Sequence, residues 1–229
     1  MSICTQILQL IEGVKKARGL TVVIDVFRAF TFEPYAFSRG VKKIIPVGTY
    51  EHAMALKEKH SEYLVAGEDK GEKLPNFDFG NSPSEIENLD LTGKTLVHRS
   101  SAGIQGIVNA KNADEIITAS FVNADAVVKY ILAKNPERVS LCCMGLLATS
   151  ETEEDTLCAE YIKDRLQGGN RDFTNDIKDL KFTSGAKFFD EKQRSVFPQR
   201  DFELCTKLNT FDFVLKAKNI DGQIVIEKV

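Results

Sequence analysis

The stretch that most constrains this chain is Thr21-Val22-Val23-Ile24-Asp25-Val26-Phe27-Arg28-Ala29. Four β-branched residues run without polar alternation into an acid, and an arginine follows three positions later. Such a run suits a strand buried on both faces, as in a parallel sheet sandwiched by helices. The carboxylate then sits at the strand's carboxyl end, the edge that forms the ligand crevice in open α/β sheets. The same residues admit a plainer reading, with Asp25 as a buried turn cap and Arg28 as its ion-pair partner.

The rest of the chain alternates in the same manner. Residues 5–18 set Ile7, Leu8, Leu10, Ile11 and Val14 at helical spacing, and Gly19 closes the segment. Residues 31–37 predict a helix with Pro34 near its first turn, where a missing N–H costs little. Short apolar runs at 43–47, 63–66, 95–97, 115–118, 139–143 and 223–228 read as strands. Helical patterns fall between them at 49–59, 104–110, 124–132, 150–168 and 201–208. A loop of about 25 residues follows Gly67, longer than compact domains tolerate without a binding role. Residues 170–190 are polar and read as a surface excursion. The pattern predicts one domain, 1–229, of the α/β class: three layers, α/β/α, around a largely parallel or mixed central sheet.

Composition narrows the function. The chain has 229 residues, 43% hydrophobic and 28% charged, with a net charge of −3. That balance offers no basic field for nucleic acid. No apolar run reaches membrane-spanning length and no signal-peptide pattern opens the chain, so no membrane association is expected. The five cysteines are odd in number and lack metal-ligand spacing. Reduced thiols in a cytoplasmic protein account for them. The sequence leaves assembly open, with a homodimer as the candidate.

Five strand ends carry polar cargo: Asp25 with Arg28, Glu68 with Asp69, Arg99-Ser100-Ser101, Asn123, and Glu153-Glu154-Asp155. In a largely parallel sheet these loops gather along one edge. Asp25, Glu68 and Asp155 offer the oxygen ligands of a hard cation, Mg²⁺ where phosphate shares the site. Arg28, Arg99 and the backbone of residues 100–103 suit anionic oxygens. In Phe77-Asp78-Phe79-Gly80-Asn81-Ser82-Pro83, the phenylalanines anchor the loop and turn Asp78 and Asn81 towards the site. Each piece also has a bland reading: Ser150 with Glu153 fits a capping box, and His98 an ordinary strand-end histidine. Ser100-Ser101 lacks a His–Asp pair to activate a nucleophile, which argues against a serine hydrolase.

On these residues the chain resembles the 2-phosphosulfolactate phosphatase family. The resemblance rests on residues 22–29, Gly67-Glu68, the 77–83 stretch, Ser120-Phe121-Val122-Asn123-Ala124 and Glu154-Asp155-Thr156-Leu157-Cys158-Ala159. It implies an α/β, Mg²⁺-dependent acid phosphatase that converts 2-phospho-3-sulfolactate to 3-sulfolactate and phosphate, a step towards coenzyme M. Metal ligation then falls to Asp25, Glu68 and Asp155, and catalysis to Asp25, Arg28 and Glu154, with Glu154 as general acid or base. The small anionic phosphorylated substrate would meet Asn81, Ser82, Arg99, Ser100, Ser101, Gly103 and Asn123. One loop departs: coenzyme M-type members read Thr-Thr-Asn-Gly-Thr-Arg where this chain has Ser100-Ser101-Ala102-Gly103-Ile104-Gln105. The lost guanidinium predicts a sulfonate left unpaired beside Ile104, and hence a less charged phosphoester as preferred substrate. The alternative is a binding protein for a small anion that keeps the pocket without turnover.

Overall fold

The runs that end in acids or small residues do become adjacent strands, but not in one direction. The computed structural model describes residues 3–229. Among them the strands are β1 (Cys4–Gln9), β2 (Gly19–Ile24), β3 (Lys43–Pro46), β4 (Leu64–Asp69), β5 (Glu72–Lys73), β6 (Thr95–Arg99), β7 (Ala113–Ala119), β8 (Arg138–Cys143), β9 (Leu215–Ile220) and β10 (Gln223–Lys228). The helices are α1 (Leu10–Val14), α2 (Ala29–Ser38), α3 (Tyr50–Lys59), α4 (Pro83–Ile86), α5 (Gly103–Asn109), α6 (Ala124–Lys134), α7 (Glu153–Leu166), α8 (Thr174–Asp179) and α9 (Gln199–Cys205).

One mixed sheet takes the order β1-β8-β2-β7-β9-β10-β3-β6-β4-β5. Strands β1, β8, β2 and β7 are mutually parallel, and β3, β6 and β4 form a second parallel block. The β9–β10 hairpin joins the blocks through antiparallel pairings on each side, so the blocks run in opposite directions. In a flat sheet their carboxyl ends would lie at opposite edges. Yet the Gly103 amide, beyond β6, donates to Asp25, beyond β2, at 2.8 Å. The sheet must therefore curl until the two ends meet.

Helix α2 fills the inside of that curl. Residues 29–37 are all buried. Glu33 meets His98 of β6 at 2.9 Å, and the Phe30 carbonyl accepts from Ser120, beyond β7, at 2.9 Å. That second bond answers a local defect. The helix begins at Ala29, earlier than the sequence pattern implies, which moves Pro34 from the first turn into the helix interior. Proline there has no N–H for the carbonyl four residues back, which is Phe30, and the Ser120 hydroxyl supplies the missing donor.

Side chains alternate across the strands. Val23, Cys142, Ile44, Leu96 and Ala66 pack inward with α1, α2 and α5. On the outer face Val22, Ile24 and Leu141 pack under α6 and α7, and Ile45, Val65 and Val97 under α3. The result is three layers, with the sheet in the middle. Residues 5–18 are not one helix: residues 4–9 extend parallel to β8. Ile7 and Leu8 enter opposite cores, the period of a strand. The open edge of β8 supplies a ladder that outcompetes the helical spacing, and Leu10, at φ +60°, turns the chain into the short α1.

Gly106 of α5 lies where a Cβ would stand 2.4 Å from Val23 Cγ1 and 2.6 Å from Met144 Sδ. Val23 is β-branched and stiff, so the contact cannot relax freely. Gly106→Ala should therefore cost about 1–3 kcal/mol by overpacking. Thermal denaturation should show the midpoint falling by several degrees; an unchanged midpoint would mean that β2 and α5 separate without strain.

Candidate active site

The three acids expected to ligate a metal, Asp25, Glu68 and Asp155, are each held by peptide N–H groups. Asp25 Oδ2 accepts from Gly103 at the start of α5, 2.8 Å away. Glu68 accepts from Ser101 at 2.8 Å through Oε1 and from Gly71 at 2.7 Å through Oε2. Asp155, in the first turn of α7, accepts from Val26 through Oδ1 and from Gly145 through Oδ2, both at 2.8 Å. The first N–H groups of a helix have no intrahelical partner and favour negative charge. At α5 the chain's own Asp25 takes that place, so the Ser101 and Gly103 amides expected to cradle an external anion hold carboxylates instead. Glycine is needed at 103 because a Cβ would stand 2.8 Å from Asp25 Oδ2 and 2.9 Å from the Phe30 ring.

These acids line one cavity of about 410 Å³ with Phe27, Arg28, Asn81, Ser100, Ser101 and others, within the size range of small-molecule sites. Glu154 Oε2 and Asn81 Oδ1 are buried there without a hydrogen-bond partner among the described residues. Burial, then repulsion from Glu68, pushes Asp25 up to about 7, against the pull of the Gly103 amide. Burial and the Glu154 charge also hold Asp155 well above the usual carboxylate range.

Eight of the predicted site residues line this cavity: Asp25, Arg28, Glu68, Asn81, Ser100, Ser101, Glu154 and Asp155. The others lie outside it. Asn123 Oδ1 accepts from Ser120 N at 3.1 Å, a capping box that closes the turn into α6. Arg99 turns back to the Glu68 carbonyl and to Ser101 Oγ, bracing β4 against the loop after β6. Ser82 donates to Asp201 at 2.7 Å. Asp78 faces away from the site, accepting from Val65 N at 2.8 Å. Phe77 is buried as expected, and Phe79 is half-buried.

Arg28 does not pair with Asp25. Its Nη1 donates to Asp201 at 2.9 Å and to the Val196 carbonyl at 2.8 Å, and its Nη2 to the Gly71 carbonyl at 2.8 Å. A guanidinium has five N–H donors, so two remain for a ligand. The loop substitutions also fall elsewhere than expected. Ile104 is fully buried in the inner core, and neither it nor Gln105 lines the cavity. The expected sulfonate beside Ile104 thus has no place there.

Sequence reasoning missed Asp201, Ser184, Lys187 and Phe197. Ser184 and Lys187 reach the cavity from the segment that reads as a surface excursion, and Phe197 from just beyond it. A buried, aromatic-rich contact is the one signal that marks it: Phe188 stacks edge-on with Phe27 and Phe197 at 5.0 and 5.7 Å.

A curled mixed sheet, with acids fixed at its converging strand ends around one cavity, defines an α/β protein with a carboxylate-rich small-molecule site. The family model for 2-phosphosulpholactate phosphatase matches residues 6–219. A Bacillus subtilis protein named a probable 2-phosphosulfolactate phosphatase is 36% identical, covering 92% of each chain. Proteins of the same name from Carboxydothermus hydrogenoformans and Thermoplasma volcanium are 34% and 31% identical, covering 94% of both chains in the first and 90% and 92% in the second. The chain belongs to the 2-phosphosulfolactate phosphatase family, a family of phosphoric monoester hydrolases.

Two measurements check this arrangement. Folding raises Asp25 from the ordinary value of 3.8 to about 7, so the folded state binds the extra proton between those values. Stability should therefore fall as pH rises from about 4 through about 7. Thermal unfolding of metal-free protein should show that slope, and Asp25→Asn should flatten it; an equal slope in the variant would assign it to other groups. Asp201→Ala leaves Arg28 buried without its counter-charge and should cost about 3–5 kcal/mol by denaturant unfolding.

Proposed function

We propose that this chain hydrolyses a small phosphomonoester of the 2-phospho-3-sulfolactate type to the free alcohol and inorganic phosphate, with Mg²⁺ bound at the acids. The observation that carries this reading is the gathering of four buried carboxylates, Asp25, Glu68, Glu154 and Asp155, in one cavity. The donor chemistry suits a hard cation. Asp25 Oδ1 and Asn81 Oδ1 accept no hydrogen bond among the described residues, and Asn81 Oδ1 is buried. No three His, Cys, Asp or Glu side chains among the described residues stand as a ready metal cage. Mg²⁺ commonly takes one or two carboxylates and completes its shell with water and substrate phosphate, so Asp25 with Asn81 is a sufficient protein share. Asp155 and Glu68, with both oxygens engaged by amides, shape the field around them.

A bound divalent cation supplies Lewis-acid polarisation of the phosphoryl group and offsets the acids' charge. The chain's own groups do the rest. Ser100 Oγ accepts from Ile104 N and Ser101 Oγ from Arg99, which leaves each O–H to donate to phosphoryl oxygens. The two remaining Arg28 N–H groups stabilise charge on the same oxygens. Glu154, whose Oε2 has no partner among the described residues, takes a proton from the attacking water or returns one to the leaving oxygen. Five unpaired cysteines accord with work in the reducing cytoplasm.

Release of phosphate from 2-phosphosulfolactate should stop on chelation and return with Mg²⁺. Asp25→Asn and Glu154→Gln should each lower kcat by about 10²–10⁴ while far-ultraviolet circular dichroism is unchanged. Undiminished turnover in excess chelator removes the cation from the reading. Tight product binding with no turnover of any phosphomonoester identifies a binding protein on the same scaffold.

A further inference from the structure

Lys187 is an ammonium that makes no close ion pair among the described residues, although Glu154 and Asp25 act on it from across the cavity. It sits on the 3₁₀ turn Ala186–Phe189 and lines the cavity with Asp25 and Glu154. Its Nζ lies 5.2, 5.5 and 5.8 Å from the ring centroids of Phe197, Phe188 and Phe27. Among the described residues no carboxylate comes within 4.0 Å of it, and it donates no hydrogen bond to the chain. Three residues earlier, Ser184 also lines the cavity, and its Oγ is buried without a partner among the described residues. Charges withdrawn from water are as a rule paired. Here two neighbouring donors, one of them cationic, face a small-molecule cavity with no hydrogen-bond or close ion-pair partner among the described residues.

We propose that Ser184 and Lys187 form a subsite for a second acid group of the substrate, a carboxylate or sulfonate on the carbon skeleton that carries the phosphate. The inference rests on the phosphatase reading and adds to it the residues that select a doubly acidic phosphoester. Phosphate and acid group are divided between two sets of donors. Ser100, Ser101 and Arg28 serve the phosphoryl oxygens, and the 184–187 segment serves the second acid. The three rings leave the ammonium poorly hydrated, so an anion meets it with little water to displace. The cation that the loop at 100–105 lacks is thus supplied from a distant part of the chain, and 2-phosphosulfolactate is accommodated rather than rejected.

The test compares 2-phosphosulfolactate with phenyl phosphate, which has no second acid group, on the full-length protein. In Lys187→Gln the ratio of kcat/KM for the two should fall about tenfold or more, the worth of one charge-assisted hydrogen bond. The loss should fall mainly in KM, Lys187→Arg should restore part of the ratio, and Ser184→Ala should lower it less. Titration calorimetry with 3-sulfolactate gives a second readout, with affinity expected to fall by a similar factor in Lys187→Gln. Equal losses on both substrates, or 3-sulfolactate binding that is absent from wild type or unmoved by the substitution, would overturn the subsite. If wild type hydrolyses no phosphomonoester yet binds 3-sulfolactate through Lys187, the subsite stands and the phosphatase reading falls.

Discussion

Bonds from carboxylates to peptide N–H groups hold the site and much of the fold together. Asp155 ties the end of β2 to the loop after β8. Glu68 ties β4 to the loop after β6. Asp25 then joins the two blocks, reaching from β2 to the first amide of α5. A hydrogen bond to a charged group contributes about 1.5–3 kcal/mol net, and each of these is opposed by the cost of burying the charge. Their value is geometric: they fix three loops from oppositely running strands around one space. Removing any of these acids therefore disturbs a junction between elements as well as the lining of the cavity.

Arg28 makes the second junction. It sits at the N-cap of the buried α2 and binds the carbonyls of Gly71 and Val196 together with Asp201 of α9. Asp201 accepts in turn from Ser82 Oγ and Ser84 N. One guanidinium thus gathers the loop after β4 and the approach to α9 over the cavity. With side-chain exposures of 4% and 0%, the ion pair is insulated from salt, and its loss leaves a charge with nowhere to go.

The sequence makes legible what depends on short-range pattern. Unbroken apolar runs mark β2 and β8 as strands buried on both faces, and an acid directly after such a run marks Asp25. Glu68 is legible for the same reason, and Glu154 and Asp155 as an acidic cluster that opens the helix after β8. Relative strand direction is not encoded locally: nothing in residues 43–46 tells that β3 runs against β10, since one antiparallel hairpin near the C-terminus sets it. Arg28 and Asp201 meet across 173 residues, and no spacing rule links them. Lys187 lies in a segment without hydrophobic periodicity, where the rings that seat it contribute scattered phenylalanines rather than a stripe. Ile104 opens the helical pattern at 104–110 as expected, but register with the family's loop set it beside the substrate, whereas as the second residue of α5 its side chain turns inward.

The electrostatic problem at this site is that a substrate bearing negative charge must enter a cavity already lined by four acids. Arg28 contributes little net charge, because Asp201 neutralises it at 2.9 Å. Lys187 is the remaining cation lining the cavity besides Lys70. Without a counter-ion the acids lower their own repulsion by keeping protons, which is why burial and Glu68 hold Asp25 near 7. On the proposed reading a divalent cation would remove the same repulsion by displacing that proton, so proton and cation would compete for Asp25. Raising the pH would then strip the proton and strengthen cation binding, while acid would weaken both the cation and the anion it recruits. A site that works in this way would admit an anionic ester only with its cation, and the acids facing the substrate would make its binding conditional.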